Sequence, residues 1–206
     1  MNFKYLKLDL NDKGIGTILF SNTRSKNALT PKMISEIILA LKFLEKSENC
    51  RILVISGEGN TFSSGADLEW MKKSINLKYK ENVKESKEFT KMLKSIDSFS
   101  KPTISLVNGH AFGGALGIIA ATHFAISFKE SKFCFSEVRL GLIPAMIAPY
   151  ILRSIGYKET KKLFLTGEVF TAQKAVNIGL IDETISLKDF NIKETKLIKD
   201  LLLTHS

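Results

Sequence analysis

Two short segments, the continuous apolar run in RILVIS at residues 51–56 and the uncharged TISLV at 103–107, govern which folds are open to this chain. A strand with one wet face alternates apolar and polar residues, whereas an unbroken run has both faces covered, as in parallel sheets flanked by other layers. The surrounding segments supply those layers. Thr30 reads as an N-cap and Pro31 as the first helical position, and Met33, Ile34, Ile37, Ile38, Leu41 and Leu44 then recur on one face at helical spacing. Residues 80–100 form a second, strongly charged amphipathic helix, which Pro102 brings to a stop. Further strands are predicted at 3–9, 15–20, 124–128 and 133–135, with a turn at 11–14 and loops at 21–29 and 57–65. Helices are predicted at 145–155, 157–165 and 171–177, and a short helix with a frayed end at 191–203. This alternation gives an α/β fold with a mostly parallel sheet, and 206 residues suit one domain.

With 44% of residues hydrophobic and 25% charged, the chain has the composition of a globular protein with a core. No apolar stretch is long enough to span a bilayer. The first ten residues alternate lysines with apolar residues and lack the apolar run of a secretory signal. Cys50 and Cys134 lie far apart in apolar surroundings, which points to two buried thiols in a reducing cytoplasm. The three histidines are scattered, and no Cys/His cluster has metal-ligand spacing. A net charge of +9 favours anionic partners, yet the lysines form no basic block, so solubilising surface lysines explain the balance as well.

Three segments carry chemistry. In Val107-Asn108-Gly109-His110-Ala111-Phe112-Gly113-Gly114-Ala115-Leu116-Gly117 a buried strand runs through a glycine pair into an apolar helix. The first amides of a helix have no internal acceptor and the helix dipole adds positive potential, so such a turn suits a negatively charged oxygen. A Gly-Gly pair equally serves tight helix–strand packing. The spacing is neither that of a phosphate P-loop nor that of a dinucleotide fingerprint. In Thr61-Phe62-Ser63-Ser64-Gly65-Ala66-Asp67-Leu68 another loop after a buried strand opens a helix at Asp67 and can present the Ala66 amide. Two such loops can converge on one oxygen as an oxyanion hole, with Asp67 itself read as a helix cap or structural acceptor. In Phe133-Cys134-Phe135-Ser136-Glu137-Val138-Arg139-Leu140-Gly141-Leu142-Ile143-Pro144, Glu137 stands between an aromatic strand and an apolar run. A carboxylate in apolar surroundings holds its proton more tightly and can act as acid or base near neutral pH; a surface ion pair with Arg139 is the alternative. No Ser/His/Asp arrangement is placed for nucleophilic catalysis, and His110 and His123 read as structural.

In this order the three segments resemble the crotonase, or enoyl-CoA hydratase/isomerase, family over about residues 15–182. The resemblance is carried by Ser64-Gly65-Ala66-Asp67-Leu68, by Asn108-Gly109-x-Ala111-x-Gly113-Gly114 and by Glu137-x-x-Leu140-Gly141-Leu142-Ile143-Pro144. Leu165-Thr166-Gly167 and Ala172-x-x-Ala175-x-x-x-Gly179-Leu180 fit it too. It implies a ββα-spiral fold with mostly parallel sheets and a shortened C-terminal helical part, dividing the chain into a core at 1–185 and a remnant at 186–206. It implies acyl thioesters of coenzyme A as substrates, with the Ala66 and Gly114 amides as oxyanion hole and Glu137 as acid/base. Coenzyme A then lies along residues 24–29, where Arg24 and Lys26 supply charge for phosphates beside Ala28 and Leu29, with Ser64, Asp67 and Leu68 also in contact. Trp70, Met71, Ile143 and Met146 are candidates for an acyl pocket, although core packing accounts for the same residues. Coenzyme A enters as part of the substrate, with no separate cofactor and no metal, and the resemblance implies a homotrimer or a dimer of trimers.

Two features depart from the family pattern. Many of its hydratases carry a second glutamate at the position of Gly117, and glycine can neither take nor give a proton. One glutamate suffices to move a proton between two carbons, as in the family's double-bond isomerases. The wording at 111–117 and 133–142 nevertheless resembles bacterial methylglutaconyl-CoA hydratases of leucine breakdown, which also have glycine there. An acyl group bearing a carboxylate needs a basic partner, for which Arg139 and Arg153 are candidates. The family also continues past this point with helices that cap the site and join subunits, which puts the trimer and full activity in question. Three readings stand: an enoyl-CoA hydratase or isomerase; a non-catalytic acyl-CoA-binding relative; and a nucleic-acid binder, which has no basic-aromatic module behind it.

Overall fold

The computed structural model describes residues 2–74, 76–186 and 196–204. β1 (Leu6–Leu10) and β2 (Ile15–Phe20) form an antiparallel hairpin, and β2 pairs in parallel with β3 (Ile52–Gly57). β5 (Thr103–Val107), β7 (Phe124–Phe128) and β10 (Glu183–Ile185) extend the sheet in parallel, giving the order β1-β2-β3-β5-β7-β10. After β3, β5 and β7 the chain steps each time into a second sheet. There β4 (Thr61–Ser63), β6 (His110–Phe112) and β8 (Lys132–Cys134) run parallel, and β9 (Phe170–Thr171) adds an antiparallel edge. Helices follow each pair: α2 (Leu68–Ser74) and α3 (Tyr79–Asp97), then α4 (Gly114–Ala121), then α5 (Ala148–Thr166). This strand–strand–helix winding is the expected ββα spiral.

α1 (Pro31–Lys46) connects β2 to β3 and starts as its sequence dictates, with Thr30 Oγ1 accepting the Met33 N–H at 3.1 Å. Its buried face carries Met33, Ile34, Ile37, Leu41 and Leu44 and also Glu36, whose carboxylate accepts the Lys4 and Tyr5 amides at 3.1 and 2.9 Å. The unbroken run in β3 divides by alternation between two cores. Leu53 and Ile55 join the main core, while Ile52 and Val54 pack with Ile15, Ile104, Leu106, Ile126 and Ile198. Ile198 belongs to α7 (Lys196–Thr204), which with Leu197, Leu201 and Leu202 covers that second face of the large sheet.

The predicted end at 191–203 is therefore a packed helix where it is described, and residues 191–195 lie outside the described residues. The boundary between 1–185 and 186–206 likewise abuts residues 187–195, outside the described residues. The strands β4, β6, β9 and β10 have two or three residues each, too short to show a periodicity in sequence. The two helices expected at 145–155 and 157–165 meet at Gly156, whose φ of +73° breaks the helical path inside α5. α6 (Ala172–Asn177) is capped by Thr171, whose hydroxyl accepts the Lys174 N–H. Cys50 and Cys134 are free and buried. Among the described residues no helix is long and apolar enough to cross a membrane, and no three metal-binding side chains gather.

Candidate active site

The first turns of the ββα windings and the segment 137–147 enclose a cavity of about 620 Å³. Ala66, Gly114 and Glu137, one from each of the three segments singled out in the sequence, all line it. Leu68, Trp70, Met71, Ile143 and Met146 line it too.

Backbone pairing aims the two amides. Leu29 donates its N–H to the Gly65 carbonyl at 2.8 Å and accepts from Asp67 N–H at 3.1 Å, forming a parallel bridge opposite Ala66. In a parallel bridge the flanking residues supply the bonds, so the Ala66 N–H faces away from Leu29, and it has no acceptor among the described residues. Gly65, with φ +87°, lets this loop touch the next one: a Cβ there would stand 2.5 Å from the Phe112 carbonyl oxygen. On the other side Gly113 adopts φ +54° and ψ −128°, a region reserved for glycine, and donates to the Cys134 carbonyl at 2.9 Å. The chain then turns into α4, so the Gly114 N–H is one of the orphan donors of a helix N-terminus. The ring of Phe89 covers this end, since a Cβ on Gly114 would meet it at 2.9 Å.

Glu137 sits in a 3-10 turn, Ser136–Leu140, facing Gly113: a Cβ on that glycine would lie 3.3 Å from Glu137 Oε1. Its Oε2 is buried without a hydrogen-bond partner. Burial disfavours the ionised form and pushes this carboxyl above the usual range. The ion pair with Arg139 does not form, because the Arg139 guanidinium donates to the Gly167 carbonyl at 2.7 Å. Arg153 pairs with Asp97. Neither arginine lines the cavity. The position of the family's second glutamate is closed: a Cβ on Gly117 would stand 2.3 Å from Ile147 Cγ2, and Ile147 is what the cavity meets there.

Of the residues expected along coenzyme A, Leu68 lines the cavity and the other six lie outside its lining. Arg24 and Lys26 are exposed on the outer rim of the 24–29 loop. Ala28 and Leu29 are buried, and Leu29 serves as the brace behind Ala66. Ser64 ties the two loops together, its N–H donating to the Lys26 carbonyl at 2.9 Å. Asp67 caps α2, with Oδ1 accepting the Trp70 N–H at 2.9 Å. The sequence reading missed the wall that α3 contributes: Asn82, Glu85, Ser86 and Phe89 all line the cavity. Glu85 accepts the Trp70 Nε1–H at 2.6 Å. Nothing in the charged pattern of α3 marks Glu85 apart from its exposed neighbours; only the i, i+4 spacing from buried Phe89 places it on the inner side.

Residues 11–205 match the family model described as "Enoyl-CoA hydratase/isomerase". A "Putative enoyl-CoA hydratase" of Thermus thermophilus is 31% identical over 83% of this chain and 68% of that protein. A "Hydroxycinnamoyl-CoA hydratase-lyase" of Pseudomonas fluorescens is 28% identical over 97% of this chain and 73% of its own length. Among solved structures, an enoyl-CoA hydratase from Shewanella pealeana superposes with a TM-score of 0.93 at 38% identity, covering 97% of this chain and 74% of that one.

Proposed function

The chain belongs to the enoyl-CoA hydratase/isomerase family, and we propose that its cavity binds acyl-CoA thioesters and stabilises their enolates. One observation carries this reading. Two backbone amides without acceptors, at Ala66 and Gly114, border the same cavity as a carboxylate whose Oε2 is buried and unpaired. The amides donate to the thioester oxygen and hold the charge that develops on it, at about 3 kcal/mol of barrier for each donor. In hydration of a 2-enoyl-CoA, ionised Glu137 takes a proton from water as the water oxygen bonds to C3. The C2=C3 electron pair moves into the enolate, and Glu137 returns the proton to C2. Its raised proton affinity suits both halves of that cycle.

The packing of Ile147 on Gly117 favours a second reading, double-bond isomerisation. There Glu137 removes a C2 proton from a 3-enoyl-CoA and returns it to C4, and no second carboxylate is needed to hold water. A methylglutaconyl group is the less favoured substrate. Arg139 and Arg153 are engaged elsewhere, and Lys72, the cation on the cavity wall, is 3.1 Å from Glu69. A purely binding role leaves unexplained why an ionisable group is kept buried and unpaired. The two free buried thiols support the cytoplasm as compartment. The exposed apolar side chains of Leu165 and Val169 support self-association, as a homotrimer or a dimer of trimers, which light scattering of the purified protein would test.

Incubation with a 2-enoyl-CoA and a 3-enoyl-CoA, followed by mass spectrometry and NMR of the products, tests the proposal. A gain of one water from the 2-enoyl substrate establishes hydration. Movement of the double bond at constant mass establishes isomerisation. Binding of both without change to either rules out the catalytic reading.

A further inference from the structure

We propose that Glu85 is a specificity-determining residue that reads the far end of the acyl group, accepting a hydrogen bond from a chain hydroxyl and turning away a chain carboxylate; this rests on the acyl-CoA reading above. Glu85 lies one helical turn before Phe89, and Phe89 packs on Gly114. Glu85 and Phe89 both line the cavity, and four residues of helix rise about 6 Å, so Glu85 stands about that far along α3 from the residue whose ring packs on Gly114. At that separation a group on the cavity wall can meet the acyl chain beyond the reacting carbons.

The cavity wall it shares includes the apolar Met71, Leu142 and Met146 and the polar Lys72, Ser74 and Asn82. Trp70 Nε1–H fixes one carboxylate oxygen, Oε2, at 2.6 Å, with Ser74 Oγ at 3.3 Å from the same atom. Oε1 has no hydrogen-bond partner among the described residues. An ionised carboxylate accepts on both oxygens and donates on neither, so the unused oxygen gains from a ligand donor and repels a ligand carboxylate. Trp70 makes this a fixed feature, since its indole holds the carboxylate in one orientation.

The test is calorimetric binding to the full chain of three saturated acyl-CoAs of equal chain length: unsubstituted, terminally hydroxylated and terminally carboxylated. Saturated chains are not turned over, so the readout is independent of the reaction. The wild type is expected to bind the hydroxylated chain about tenfold or more tightly than the carboxylated one. Glu85→Gln keeps the shape but offers an amide N–H, so the preference falls by about tenfold or reverses. Trp70→Phe frees the carboxylate and gives an intermediate ratio. Ratios within one sample cancel any misfolded fraction. Equal binding of all three by the wild type, or an unchanged ratio in Glu85→Gln, overturns this proposal alone. Failure to bind any of the three overturns the acyl-CoA reading with it.

Discussion

Gly65→Ala inserts a methyl group where the two amide-bearing loops touch. The new Cβ would stand 2.5 Å from the Phe112 carbonyl oxygen, 3.2 Å from its carbonyl carbon and 3.4 Å from Gly113 Cα. Carbon and oxygen in contact sit roughly 3.3 Å apart, so the loops must part by roughly 0.8 Å. Ala66 follows the inserted residue directly and Gly114 lies two residues past Phe112, so the separation falls on the distance between their amides. A misplacement of about 1 Å costs about a hundredfold in rate, and loss of one donor costs about as much or more. The left-handed φ of +87° adds roughly 1–2 kcal/mol of strain, about 2–8 °C in Tm at this size. Gly59→Ala separates the two effects. Gly59 has nearly the same φ, +82°, yet its Cβ would meet only Thr23 Cγ2, at 3.8 Å. Both variants carry the φ strain, Gly65→Ala should melt lower still because of the parted loops, and only Gly65→Ala loses about a hundredfold in kcat for an enoyl-CoA substrate, followed by the change in enoyl thioester absorbance. A kcat for Gly65→Ala within threefold of Gly59→Ala would refute the convergence argument.

Three further outcomes follow from the same packing. Burial raises the Glu137 carboxyl, so its ionised form is worse off in the fold than in the unfolded chain, and stability is lost as pH rises from the ordinary carboxylate value towards the raised one. Glu137→Gln should therefore be inactive yet melt higher than wild type at pH 8, with the difference fading below about pH 4 in thermal scans. Gly117→Glu puts a Cβ 2.3 Å from Ile147 Cγ2 and should destabilise by about 1–3 kcal/mol or more, and Ile147→Ala in the same chain should recover part of that loss in denaturant titrations. Ile198→Ala empties a fully buried site on the outer face of the large sheet and should cost about 2–5 kcal/mol in the same titrations.

The sequence made the winding legible because its long elements speak in periodicity: β2, β5 and β7 lie where their apolar runs lie, and α1 starts at its cap. Of the second sheet only β8 registered, one residue out of place at 133–135; β4, β6 and β9 did not, because two or three residues carry no period and their partners are far away in the chain. Glu137, Ala66 and Gly114 were legible as glycine-bearing turns and a carboxylate set in apolar sequence, and the structure brings all three to one cavity. That Gly65 is the contact between the two loops, and that Ile147 fills the space above Gly117, are facts of packing with no local signal. Glu85 stayed hidden for a similar reason. A charge on an amphipathic helix reads as solvated until the helix is docked, and only docking turned it toward Trp70.

In the proposed reaction an enolate forms with its oxygen on the Ala66 and Gly114 amides and its α-carbon beside Glu137. Deuterium NMR of an enoyl-CoA incubated with the protein in heavy water tests it most directly. With wild type, a hydrated product should carry deuterium at C2, and an isomerised product should show the moved double bond, with deuterium at C4 only as far as the proton on Glu137 exchanges with solvent; Glu137→Gln should give neither, although it still binds the thioester. Either product persisting in Glu137→Gln, or neither appearing with wild type while substrate is bound, would overturn that arrangement.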